Sequence, residues 1–128
     1  MSYKPFDLTG KVALITGGNG GIGLGFGEAI AMAGGDVCIW GRSASKNADA
    51  LARLNEVSGG GTHTSMICDV TDEAEVEKRF AETLEAHGRV DGCFANAGMS
   101  ARAKSFNDMS MDEFRQVLSV NLDAAFLT

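Results

Sequence analysis

A chain of 128 residues, 45% of them apolar, is long enough for one domain around one buried core. Its net charge of −6 leaves no basic footprint with which to neutralise phosphates, so no nucleic-acid partner is expected. No apolar run approaches the ~20 residues of a membrane helix, and Met1-Ser2-Tyr3-Lys4-Pro5 lacks the apolar stretch of a signal peptide, so a cytoplasmic protein with no membrane partner is expected.

Residues 11–16 (KVALIT) read as a short buried strand, and residues 21–33 as a helix stopped by Gly34-Gly35. Residues 37–40 form a second strand. Residues 45–57 form a helix with Leu51 and Leu54 inward, closed by Ser58-Gly59-Gly60-Gly61. Residues 64–70 read as a third strand. Asp72, with Glu75 three residues on, opens a third helix in the manner of a capping box. Val76, Phe80 and Leu84 line one face of it and Gly88 closes it. Residues 90–95 are a fourth strand. Ser110 and Glu113 open a last helix, whose apolar stripe is Phe114, Val117, Leu118, Leu122 and Ala125. Cys38, Cys68 and Cys93 fall in strands. Their odd number and the lack of C-x-x-C predict buried thiols, with no disulfide framework and no metal site.

Strand–helix alternation with right-handed crossovers builds an α/β fold. The expectation is a doubly wound parallel sheet of Rossmann type, in the order 3-2-1-4, with residues 1–128 as one dinucleotide-binding half-domain.

The first strand and helix are joined by Thr16-Gly17-Gly18-Asn19-Gly20-Gly21-Ile22-Gly23. Glycines here let the backbone turn tightly against a pyrophosphate, and the helix N-terminus offers it unpaired N–H groups and partial positive charge. Gly18, Gly20 and Gly23 fit G-x-G-x-x-G, whereas Gly17, Gly21 and Gly23 fit G-x-x-x-G-x-G. Both imply a dinucleotide, and the absence of a following Gly-Lys-Ser/Thr argues against a nucleoside triphosphatase. Gly25 and Gly27 continue into the helix and predict close helix–sheet packing.

NAD-binding folds place an acid ~20 residues past the glycines, on the ribose 2′-OH. Here the second strand ends Ile39-Trp40-Gly41-Arg42-Ser43. Gly41 stands where the acid would be. Arg42 offers a guanidinium fork to a 2′-phosphate and Ser43 a hydroxyl, which favours NADP(H), with NAD(H) as the alternative cofactor. A solvated loop arginine is the plainer reading. Asp69, on the same sheet edge, is placed to accept from an adenine amino group beside the Val70 backbone. An ordinary loop acid fits that position as well.

Residues 16–23, Cys68-Asp69-Val70, Ala95-Asn96-Ala97-Gly98 and Asn121 together resemble the short-chain dehydrogenases/reductases, over nearly the whole chain from Leu8 onward. The resemblance selects the register Gly17, Gly21, Gly23. It implies pyrophosphate and ribose contacts at Gly17, Asn19, Gly21, Ile22 and Gly23, a 2′-phosphate site at Arg42 and Ser43, and an adenine pocket at Asp69 and Val70. Asn96, Ala97 and Gly98 match the stretch that steadies the sheet and meets the ribose. Ala95 departs from the family's Asn-Asn-Ala-Gly and removes one polar anchor. Asn121 is implied to be the asparagine of the family's catalytic Asn-Ser-Tyr-Lys set. A hydrogen-bonded packing asparagine is the alternative.

The implied activity is hydride transfer between NADP(H) and a small-molecule alcohol or carbonyl, in a homo-oligomer that uses the last helix at an interface. The family's Ser and Tyr-x-x-x-Lys do not match this chain, whose lone tyrosine is Tyr3. His63, in a glycine-rich loop, and His87, at a helix end, read as surface residues. The expectation is therefore a truncated cofactor-binding half, inactive alone. A non-catalytic dinucleotide-binding module is the alternative. Met99, Ser100, Ala101 and Arg102 are candidates to touch substrate.

Overall fold

Val12–Thr16 (β1) is buried at every residue, as a strand without polar alternation should be inside a parallel sheet. The computed structural model describes residues 4–128, so Tyr3 lies outside the described residues. Asp36–Gly41 (β2), His63–Ile67 (β3) and Gly92–Phe94 (β4) complete a parallel sheet in the order β3-β2-β1-β4. This is the doubly wound Rossmann-type architecture. Leu14 is in register with Cys38 on one side and Cys93 on the other.

Successive strand residues point to opposite faces, and two cores result. Ile15, Val37 and Ile39 pack with Ala31, Ala50 and Leu54 of Gly21–Met32 (α1) and Ala44–Val57 (α2). Leu14, Cys38 and Trp40 pack on the other face with Val76 of Glu73–His87 (α3) and with Ala124. The caps fall where the sequence places them. Asp72 accepts from the Glu75 N–H at 3.1 Å, and Gly88 leaves α3 with φ +77°. Ser110 accepts from the Glu113 N–H at 3.1 Å at the start of Met111–Leu118 (α4).

Several expectations need correction. The third strand ends at Ile67 rather than 70, because the Asp69 carboxylate bonds the Thr71 N–H and hydroxyl and turns the chain. On α3 the inward residues are Val76 and Thr83, while Phe80 and Leu84 are over one-third exposed. The last helix is not continuous. A π-helical turn at Ser119–Asp123 separates α4 from Ala124–Leu127 (α5) and disturbs the 3.6-residue period. Ala124 is buried in place of Ala125, and Phe114, Leu118 and Leu122 face outward.

Neither histidine is a surface residue. Gly59 donates to the Ala31 carbonyl at 2.8 Å, so the loop at residues 58–61 folds against the end of α1 just before His63. His63 begins β3, with Nε2 2.8 Å from the Ser58 hydroxyl. The His87 side chain is 1% exposed, with Nε2 2.7 Å from the Thr64 hydroxyl and Nδ1 3.7 Å from the Asp36 carboxylate. Cys38 and Cys68 are buried as expected, but Cys93 lies on the edge strand and is exposed. Among the described residues, no helix is long and apolar enough to cross a membrane.

Candidate functional site

The strand order reverses at β1, whose sheet neighbours β2 and β4 both follow it in sequence but lie on opposite sides of it. Such a point opens a crevice beyond the C-terminal strand ends. A cleft of ≈ 540 Å³ lies there, lined on one side by Gly17, Asn19, Gly41, Arg42, Ser43 and Lys46, and on the other by Ala97, Gly98 and Met99.

The glycine loop forms its floor. Gly17 and Gly21 adopt φ +63° and +53°, a region that disfavours a side chain. A Cβ on Gly23 would lie 2.4 Å from the Gly17 carbonyl oxygen and 2.5 Å from Asn96 Nδ2. Gly23 thus seats the helix against the loop. Gly20 and Gly21, by contrast, face open space. Gly20 precedes α1 without a side-chain cap, so the first N–H groups of a 12-residue helix are left for an anion. These glycines make a cradle that fits a dinucleotide pyrophosphate.

The β4 wall is stitched to the floor. Asn96 Nδ2 donates to the carbonyls of Thr16 (3.1 Å) and Gly17 (3.3 Å), and the Ala97 N–H donates to the Thr16 hydroxyl at 3.0 Å. Asn121 accepts from the Met99 N–H at 2.8 Å and donates to the Met99 carbonyl at 2.9 Å, pairing with the loop as a strand would.

The β2 wall carries cations. Arg42 and Lys46 line it beside Ser43, which caps α2 by accepting from the Lys46 N–H. Asp69 lies across from them. Its bonds from the Thr71 hydroxyl and N–H hold its carboxyl below the usual range, and Arg42 adds to this. Burial pushes the Cys68 thiol up to about 12, so it stays protonated. Among the described residues, no group of three or more His, Cys, Asp or Glu side chains converges as a metal site would.

The structure therefore brings Gly17, Asn19, Arg42, Ser43, Asp69, Val70, Ala97 and Gly98 to one cleft. Val70 is itself mostly buried in the core. Gly23 and Asn96 brace the floor from beneath, and Asn121 steadies the rim. Ile22 points to solvent, 73% exposed. The sequence reading missed Lys46 and Asn47. Lys46 sits in the first turn of α2, where the helix dipole disfavours a cation, and that mismatch was its signal. Asn47 falls on the inward stripe with Ala50 and Leu54, and a polar group there needs partners.

Residues 11–128 match the profile of the short chain dehydrogenase family. An NADP-dependent (R)-specific alcohol dehydrogenase from Lentilactobacillus kefiri is 40% identical over 121 residues, covering 93% of this chain and 46% of that one. The crystal structure of levodione reductase superposes with a TM-score of 0.89 at 32% identity, covering 94% of this chain and 46% of that one. NAD+-bound xylitol dehydrogenase gives a TM-score of 0.88 at 31% identity, covering 94% and 45%. The chain spans about half the length of the curated relatives it matches.

Proposed function

This chain belongs to the short chain dehydrogenase family, and from that premise we propose that it is the cofactor-binding part of an oxidoreductase that prefers NADP(H) to NAD(H). The observation that carries the preference is the β2 wall: Arg42, Ser43 and Lys46 line the cleft together, and Gly41 stands where an acid would repel a 2′-phosphate. Bound there, the nicotinamide would supply hydride exchange with an alcohol or carbonyl of a small molecule.

The chain's own residues bind and orient. Gly17, Asn19, Gly21, Ile22 and Gly23 shape the pyrophosphate and ribose floor. Arg42, Ser43 and Lys46 take the 2′-phosphate, Asp69 and Val70 border the adenine, and Asn96, Ala97 and Gly98 hold the β4 side at the ribose. Among the described residues of the cleft, the non-cationic titratable groups are not poised to move a proton: Asp69 stays ionised and Cys68 stays protonated. The described residues of the cleft are thus proposed to bind and orient the cofactor rather than to supply the proton transfer. Asn121 is assigned to the proton relay. Both ends of its carboxamide are committed to Met99, so it contributes through its backbone in the wide turn and through the loop it fixes.

Phe114, Leu118, Leu122 and Phe126 are all exposed along α4, the π turn and α5. They supply the face on which the whole protein meets a second copy. Leu122→Glu is expected to shift the whole protein toward monomer in sedimentation, and an unchanged mass would remove this face from the assembly.

The cofactor reading is tested by titrating NADPH and NADH into the chain. Arg42→Ala and Lys46→Ala are each expected to weaken NADPH about tenfold or more, through loss of a charge-assisted contact. NADH should hardly change. Equal losses for both cofactors would sink the NADP(H) preference.

A further inference from the structure

Resting on the reading of the cleft as a dinucleotide site, we propose that Asn47 is a positioning residue that sets cofactor choice by keeping residue 41 free of a side chain. Asn47 is 3% exposed and lies in the second turn of α2, where asparagine is a poor helix former. Its amide is fully engaged. Nδ2 donates to the carbonyls of Gly41 (2.9 Å) and Met66 (3.1 Å), and Oδ1 accepts from Asn19 Nδ2 at 2.9 Å. One side chain thus ties the ends of β2 and β3 to the crest of the glycine loop.

That bridge fills the ground beside Gly41. A Cβ there would lie 2.3 Å from Asn19 Nδ2 and 2.4 Å from Asn47 Oδ1. Asn47 cannot swing aside cheaply, because both its amide protons satisfy backbone carbonyls at a site largely closed to water. An acid at 41 therefore requires the bridge to break. With the bridge intact, the neighbouring groups at this corner of the cleft are Arg42, Ser43 and Lys46. Selection for the 2′-phosphate thus has two parts: donors that welcome it, and an amide pair that shuts out the carboxylate which would favour a bare ribose hydroxyl.

A double-mutant cycle on the full chain tests this, read by fluorescence titration with NADPH and NADH, with a melting temperature for each variant. Gly41→Asp alone is expected to weaken both cofactors about tenfold or more. Asn47→Ala alone should weaken both several-fold, because the loop crest loses its tether. In the Gly41→Asp background, however, Asn47→Ala is expected to raise NADH affinity about tenfold by clearing the space. The same substitution then harms one background and helps the other. A residue with a merely structural role lowers affinity in both, and that result would overturn the proposal. So would tight NADH binding by Gly41→Asp with Asn47 in place. Gly41→Ala, which adds the Cβ without charge, runs the same cycle should the aspartate variant fail to fold. There Asn47→Ala is expected to restore NADPH binding, and no restoration counts against the proposal. If the unmodified chain binds neither cofactor, the reading of the cleft falls and this inference with it. Binding by the unmodified chain without the reversal at Asn47 overturns the inference alone.

Discussion

The indole N–H of Trp40 donates to the Thr83 hydroxyl at 3.2 Å, where Trp40 is 1% and Thr83 0% exposed. Thr83 in turn donates to the Arg79 carbonyl at 2.8 Å, so one hydroxyl joins β2 to α3 beneath the cleft. Thr83→Val keeps the shape but leaves a buried indole donor without a partner. It is expected to lower stability by ~1–3 kcal/mol in urea unfolding, with Thr83→Ser recovering most of the loss. Equal stability of the two variants would show that packing, not the hydrogen bond, matters here.

Asn96 holds two carbonyls of the strand–loop junction with one amide group. Asn96→Asp removes the donor and sets a carboxylate against those oxygens. Dinucleotide affinity should fall about tenfold or more, with roughly 2 kcal/mol of stability. Both defects should shrink as pH falls and the new carboxyl protonates, because protonation restores a donor. Calorimetric titration and melting at two pH values check this, and a defect that does not vary with pH would count against the hydrogen-bond account.

The glycines of α1 divide by what surrounds them. Gly27 touches Leu54, with a Cβ position 3.1 Å from its Cδ2, and earns its place by packing. Gly25 has nothing within 4 Å, which corrects the expectation that both glycines serve helix–sheet contact. Gly25→Ala is expected to stabilise the chain by up to ~1 kcal/mol. Gly23→Ala must push Gly17 and Asn96 apart, and should abolish dinucleotide binding. Thermal melts and titrations of the two variants should move in opposite directions.

Stability should fall on mild acidification. Burial lowers the His63 pKa below its ordinary 6.5, against the opposing pull of the Asp36 carboxylate and with some help from His87. The unfolded chain then takes up a proton more readily than the folded one. Stability is therefore full above the unfolded pKa and is lost as pH drops through it toward the folded value. Melting temperature should decrease between about pH 7.5 and about pH 5.5, and His63→Gln should flatten that decrease. A slope unchanged by the substitution would assign the effect elsewhere. The lowered carboxyls of Asp69 and Asp91 act in a separate window, below their ordinary 3.8.

Local signals made the architecture legible. Buried runs at β1 and β2, the Asp72 and Ser110 caps and the Gly88 stop each act through neighbours a few residues away, so they can be read from sequence. The glycine loop was legible because its spacing has one geometric meaning between a strand and a helix. What escaped was set by distant partners. His87 is buried against Thr64, 23 residues earlier, and Asp36, and His63 follows a loop that folds back onto α1 at Ala31. Asn47 acts through Asn19, 28 residues earlier. A 3.6-residue count sets Asn121 on an apolar stripe, yet it pairs with the backbone of Met99 from a turn whose width that count does not anticipate.

The π turn also carries a constraint on chain length. A π turn holds one residue more than the α turn it replaces. Deleting one residue between Ser119 and Asp123 is therefore expected to close it to ordinary α-helical pairing and to leave Ala124 and Leu127 on the core side. The wide turn that presents Asn121 to Met99 would be lost even though the core contacts stayed. The extra residue thus serves the rim of the cleft rather than the stability of the helix.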